Sequence, residues 1–331
     1  MSAEVLIRAC ATGDVVAVQK LLQIPANAAK ATETELHVLF HPVFENVIGY
    51  KFPRLSLAIM FREAATAGSA DIAESLLSFA KTHDIPYRTL INPISIIPAI
   101  RSTNSVEVFE KMHAVRPEIV DEDISPVGTP LHQAINGPRK APLYTSERTP
   151  LIRFLLEDGA DLNRAFPQHF RGPGMYLHSA CRHASLEVIE LLLQHGAQIR
   201  QSGAIHQAAE RGRIDVLLLL LEYGADVNEQ LWESDPMYLS KHRAKLKREN
   251  GLDTDKTDPS GRYLGWSHET PLHFSVLFHQ VEAMSWLMKH GADADVEDSR
   301  GWSARAMAIK MGDAGILEAL GSTVMSASQE A

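Results

Sequence analysis

Three times along this chain an aliphatic residue is followed nineteen positions later by glycine: Leu177 to Gly196, Ile205 to Gly224 and Leu272 to Gly291. Between the two markers each copy carries a small-residue pair and a Leu-rich stretch, and each closes on Gly-Ala. One local pattern recurring at a fixed spacing is the mark of a stacked-repeat chain, in which a unit of a few dozen residues cannot bury its apolar face alone and does so against its neighbours. The core of such a chain runs lengthwise. Its 331 residues, 45% of them hydrophobic, therefore need not be divided into two globular domains.

The start of each unit has its own chemistry. Thr129-Pro130-Leu131-His132 and Thr270-Pro271-Leu272-His273 are the clearest copies, with Tyr176-Leu177-His178 and Ala204-Ile205-His206 between them. Proline in the first turn of a helix loses no hydrogen bond, the preceding threonine can cap that helix, and the histidine can tie neighbouring turns. Glycine after the second helix permits a left-handed C-cap. These residues resemble the ankyrin repeat, a helix-turn-helix unit of about 33 residues, most specifically from Gly128 to Gly312. The resemblance implies an all-α fold, an ankyrin-repeat solenoid of about eight helix-turn-helix units with two large insertions. The divergent, heavily inserted style resembles the ankyrin-only proteins of filamentous fungi.

The same ruler extends the array. Leu6 to Leu22 with Gly13, and Phe61 to Ala80 with Ala64, Ala65 and Gly68, read as early units. Ile97 to Arg116 is a degenerate one, because Ile100, Ser102 and Asn104 replace small or turn residues, and it is expected to be the soft joint. Gly301-Trp302-Ser303-Ala304, Gly312 and Leu317 to Leu320 read as a capping unit. The expected units lie near 4–25, 52–81, 94–120, 127–163, 174–200, 203–228, 268–295 and 299–321, with insertions at 26–51 and 229–265 and a tail at 322–331. An extra loop from Asn136 to Thr149 separates the two helices of the fourth unit.

Charge and composition exclude several partners. With 32 Lys and Arg against 41 Asp and Glu, the net charge of -9 repels a phosphate backbone, which disfavours nucleic acid. The longest aliphatic run, Val216 to Leu221, is far short of the about 20 residues of a membrane span. Glu4 and Arg8 interrupt what would have to be the apolar part of a secretion signal. Two distant cysteines, Cys10 and Cys181, build no disulfide framework. A cytoplasmic protein is expected, with nuclear access through the basic run from Lys241 to Arg248; acidic neighbours make that run equally readable as a solvated helix.

Nothing nominates a catalytic constellation. Four of the fifteen histidines, His132, His178, His206 and His273, hold the signature position, and His195 and His290 precede helix-ending glycines, where they suit the helix dipole. No His-Glu-x-x-His, Cys-x-x-Cys, Gly-x-Ser-x-Gly or phosphate-loop pattern occurs, and Gly172-Pro173-Gly174 is a turn. Cys10 and Cys181 fall four residues after the Leu-like position and read as small buried hydrophobes. No metal, cofactor or catalytic residue is expected. The alternative is an enzyme or small-molecule binder with a pocket between the insertions and the array, with His169, Arg171, His242 and His268 as polar groups.

The expected function is therefore that of a noncatalytic adaptor or scaffold whose partner is another protein. The resemblance implies contacts on the concave face at the exposed end of each first helix. On this chain those positions are Arg182 and His183, Glu210 and Arg211, and Leu277 and Phe278. Trp232 and Trp266, with Tyr238 and Tyr263, flank the basic run and have the composition of interface anchors or of residues that pack the insertion. The resemblance also implies Asn163 and Asn228 as asparagine hydroxylation sites in a host with such an oxygenase, or as residues that bond the turn.

Overall fold

The computed structural model describes residues 3–39, 50–102, 105–124, 128–136, 148–164, 174–231, 249–251, 268–298, 301–312 and 315–320. The chain forms two compact units, one of residues 1–142 and 147–161, the other of residues 143–146 and 162–331.

In the first unit, helices come in pairs: α1 (Ala3–Ala11) with α2 (Val15–Leu22), α4 (Ser56–Thr66) with α5 (Ala70–Thr82), α7 (Pro93–Arg101) with α8 (Ser105–His113), and α9 (Pro130–Asn136) with α10 (Thr149–Glu157). First helices pack in a row, α1 on α4, α4 on α7 and α7 on α9, while second helices α2, α5, α8 and α10 pack behind them. The apolar face of each helix meets that of the next, so Met60, Phe61, Ile72, Leu76, Ile96, Ile100, Phe109 and Met112 form one buried seam. Caps set the helix starts: the Asp14 carboxylate accepts from Ala17 N at 2.9 Å, and Asn92 and Ser95 close a reciprocal capping box ahead of Pro93.

Two features of this unit differ from the sequence expectation in detail. The insertion at 26–51 holds α3 (Pro25–Ala31) and begins an antiparallel ribbon of β1 (Thr34–Leu39) and β2 (Tyr50–Leu55), in register from Thr34 opposite Leu55 to Leu39 opposite Tyr50. This ribbon is added to a helical array; Pro53, which has no ladder donor, concealed it from the sequence pattern. The degenerate segment starts earlier than expected, at Asn92, with a short helix α6 (Tyr87–Leu90) before it. It ends on Arg116, which is buried. Its guanidinium donates to Glu122 at 2.9 Å, to Glu118 at 3.2 Å and to the Ile91 carbonyl.

The second unit repeats the arrangement with α11 (Met175–His183) and α12 (Leu186–Gln194), α13 (Ala204–Glu210) and α14 (Ile214–Glu222), α15 (Pro271–Leu277) and α16 (Val281–Lys289), and α17 (Ala304–Met311). First helices α11, α13, α15 and α17 pack in one row and second helices α12, α14 and α16 in another. Signature histidines tie successive units: His273 Nε2 meets the Trp302 carbonyl at 2.9 Å, His206 Nε2 the Glu229 carbonyl at 2.8 Å, and His178 Nδ1 the Gly203 carbonyl at 3.2 Å. Thr270 and His273 form the capping box of α15. At the other end His195 and His290 bond back to the carbonyls of Leu191 and Trp286 through Nδ1, and the following Gly196 and Gly291 stand at φ 83° and 90°, the left-handed C-cap. Asn163 accepts from Gln198 N at 2.8 Å and donates to the Gly196 carbonyl at 2.9 Å, so its side chain bonds the turn of the next unit. Among the described residues no helix is long and apolar enough to cross a membrane.

Candidate partner-binding surface

The last turn of each first helix in the second unit can be read by register, counting back from the inter-helix position held by Ala184, Gly212, His279 and Gly312. Two residues before it stand Arg182, Glu210, Leu277 and Lys310. Arg182 and Lys310 are exposed, whereas Glu210 and Leu277 are buried. One residue before it, Arg211 is exposed and Phe278 is half-buried. His183 ends α11, and its side chain lies outside the described residues.

These positions correct part of the expected site. Glu210 and Leu277 have no surface to offer a partner, because α13 and α15 are enclosed on the side that register assigns to the groove. Arg182, Arg211 and Phe278 keep surface there, and the first two place cationic groups at the C-terminal ends of two adjacent helices, where cations suit the dipole. Trp232 and Trp266 lie outside the described residues, as do Tyr238, Tyr263 and the run from Lys241 to Arg248. Of the polar groups considered for an enzymatic pocket, His169, Arg171 and His242 also lie outside them. His268 is exposed at φ 44°, and its carbonyl accepts from Gln230 Nε2 at 2.9 Å. Among the described residues no group of three or more His, Cys, Asp or Glu could hold a metal ion.

Several polar residues that organise this face escaped the sequence reading. Arg213 is buried and donates to the Ala184 carbonyl at 2.7 Å and to Asp215 at 2.7 Å, so it satisfies a helix-end carbonyl of the preceding unit. Glu229 accepts from Gln201 N at 2.8 Å, and burial raises its pKa above the ordinary carboxylate value. An arginine after an inter-helix glycine with an aspartate two residues on was the one signal that could have flagged Arg213. Cys10 and Cys181 are fully buried, and desolvation pushes both thiols up to about 12.

Comparison with known families adds an independent line. Residues 151–230 match the model for ankyrin repeats, in three copies, and residues 267–299 match that for a single ankyrin repeat. No curated protein matches the chain. The second match takes in α15 and α16, and the first takes in α11 to α14, so it is the helix pairs tied by His178, His206 and His273 that match: the chain carries ankyrin repeats.

Proposed function

We propose that this chain is a noncatalytic adaptor or scaffold that holds a partner protein along the inner face of its ankyrin repeats. Ankyrin repeats are generally protein-protein interaction modules. The observation that carries the reading is the exposure of Arg182 and Arg211 on neighbouring helices α11 and α13, with Phe278 half-buried at the same level of α15. Arginine and aromatic side chains are the residue types that anchor interfaces. The test compares proteins that co-purify with the wild-type chain and with a folded Arg182→Glu/Arg211→Glu/Phe278→Ala variant. Loss of a partner from the variant supports the reading; equal capture by both removes these residues as anchors.

The proposed location is the cytoplasm, with a nuclear pool directed by Lys241 to Arg248. Five Lys and Arg within eight residues of an acidic chain support it. Fractionation of cells carrying Lys245→Glu/Lys247→Glu tests it, and an unchanged distribution removes the import role.

A further inference from the structure

The repeat formed by α1 and α2 is open on one side. Counted from the inter-helix glycines Gly13, Gly68 and Gly212, Val5 stands where Met60 and Ala204 stand, and Ala9 where Ala64 and Ala208 stand. On the second helices Ala17 matches Ile72 and Val216, and Leu21 matches Leu76 and Leu220. All eight counterparts are at 0% exposure. In the first repeat Val5 is 42% exposed, and Ala9, Ala17 and Leu21 are half-buried. The adjoining columns are closed: Leu6, Cys10 and Val18 are buried, as α1 packs on α4 and α2 on α5.

The last repeat shows the reverse. Ala304 and Ala308, the matches of Val5 and Ala9, are at 0% exposure, whereas Ile309, the match of Cys10, is 63% exposed. Val5, Ala9, Ala17 and Leu21 therefore lie on the side with which a helix pair meets the pair before it. Terminal repeats of a stacked array need a polar outer face, because an apolar one seeks cover. At the other end Arg305 takes the column of Leu6, and its guanidinium donates to Asp295 at 2.7 and 3.1 Å. The open side of α1 and α2 keeps the apolar residues of an interior stack, with Glu4 and Arg8 exposed beside them one helical turn apart.

We propose that a second copy of this chain covers that face, stacked head to head about a two-fold axis with α1 antiparallel to its copy. Two observations choose this occupant. The two-fold sets Val5 of one copy against Ala9 of the other and brings Glu4 to Arg8, so the face is complementary to itself in size and in charge. Head-to-tail stacking would instead press the apolar face on the Arg305–Asp295 pair and strip water from it. These residues are not those assigned to the partner protein, so the pairing does not depend on the adaptor reading; where both hold, one dimer presents two partner surfaces.

Sedimentation equilibrium of the purified chain over a concentration series tests the pairing. The expected result is a mass rising toward twice that of one chain, half-associated on the order of 10 μM for a contact of one helix pair. Val5→Arg changes an exposed position, which leaves the fold intact by circular dichroism, and should weaken association by about 10-fold or more. Glu4→Arg and Arg8→Glu should each weaken it alone, and the two together should restore it. Ile309→Lys, at the opposite end, should leave it unchanged. A mass of one chain throughout, or association untouched by Val5→Arg, would overturn the proposal. Loss of association in Ile309→Lys, or no recovery in the Glu4→Arg/Arg8→Glu exchange, would overturn the head-to-head arrangement.

Discussion

The Gln201 backbone N–H donates to the Glu229 carboxylate at 2.8 Å, and the residue so held stands in the left-handed region at φ 59°. In the last repeat the same register position is Gly301, at φ 78°, so a side-chain carboxylate here supports a backbone that glycine adopts without strain. The support is a buried charge. Desolvation raises the Glu229 pKa, Asp226 adds to it, and the Gln201 bond and Arg200 oppose it. With the folded value above the unfolded one, the native state binds the proton more tightly, and stability falls as pH rises through the window above about 4.3. Glu229→Gln keeps an oxygen for the Gln201 N–H and removes the charge. We expect a higher Tm than wild type at pH 8, where the buried carboxylate carries its charge. The gain should shrink as pH falls toward the ordinary carboxylate range. Calorimetry over a pH series checks it, and a lower Tm for the variant at pH 8 would sink the account.

His279 fills the inter-helix position of its repeat at φ 55°, where Gly13, Gly68, Gly212 and Gly312 stand at 65° to 73°. Its side chain is exposed, and the left-handed backbone is strained for a residue that carries a Cβ. Glycine there relieves the strain and adds freedom to the unfolded chain, two effects of opposite sign. Relief of strain outweighs the added freedom, and His279→Gly is expected to stabilise by about 0.5 kcal/mol. Urea unfolding measures the difference.

The contrast between those residues and Glu210 shows which parts of the molecule were readable from sequence. The Thr-Pro-Leu-His starts and the terminal glycines are answers to local backbone needs, so Pro271 and Gly291 announce their helix ends to anyone who counts from one to the other. Register then places Glu210 and Leu277 in the groove. Their burial was not legible, because the residue types of a helix do not say what the fold sets against its groove side. Arg213 hid for the same reason: its partner is the Ala184 carbonyl, 29 residues away, and a backbone acceptor leaves no trace in the residue types.

Ala209 tests the register itself. It sits four residues after Ile205, fully buried in α13 among the first helices of the row. Aspartate at this position would bring a carboxylate into a fully buried site, and Ala209→Asp should destabilise by about 3 kcal/mol or more. An unchanged melting temperature would mean that the column faces solvent and that the pairing of α13 with α11 and α15 is misassigned.

Cys10 and Cys181 occupy that same column, four residues after Leu6 and Leu177, and each is fully buried. Burial is the main reason their thiols stand near 12, with Glu63 adding to it at Cys10. At pH 8 a thiol of that pKa is a thiolate in about one molecule in 10,000, and the thiolate is the reacting form. Neither should take up maleimide while the chain is folded, and both should react at once in guanidinium. Mass spectrometry of the labelled chain distinguishes the cases: one modified cysteine in native conditions would show that its repeat opens locally, and the peptide carrying it would identify which end of the array loosens first.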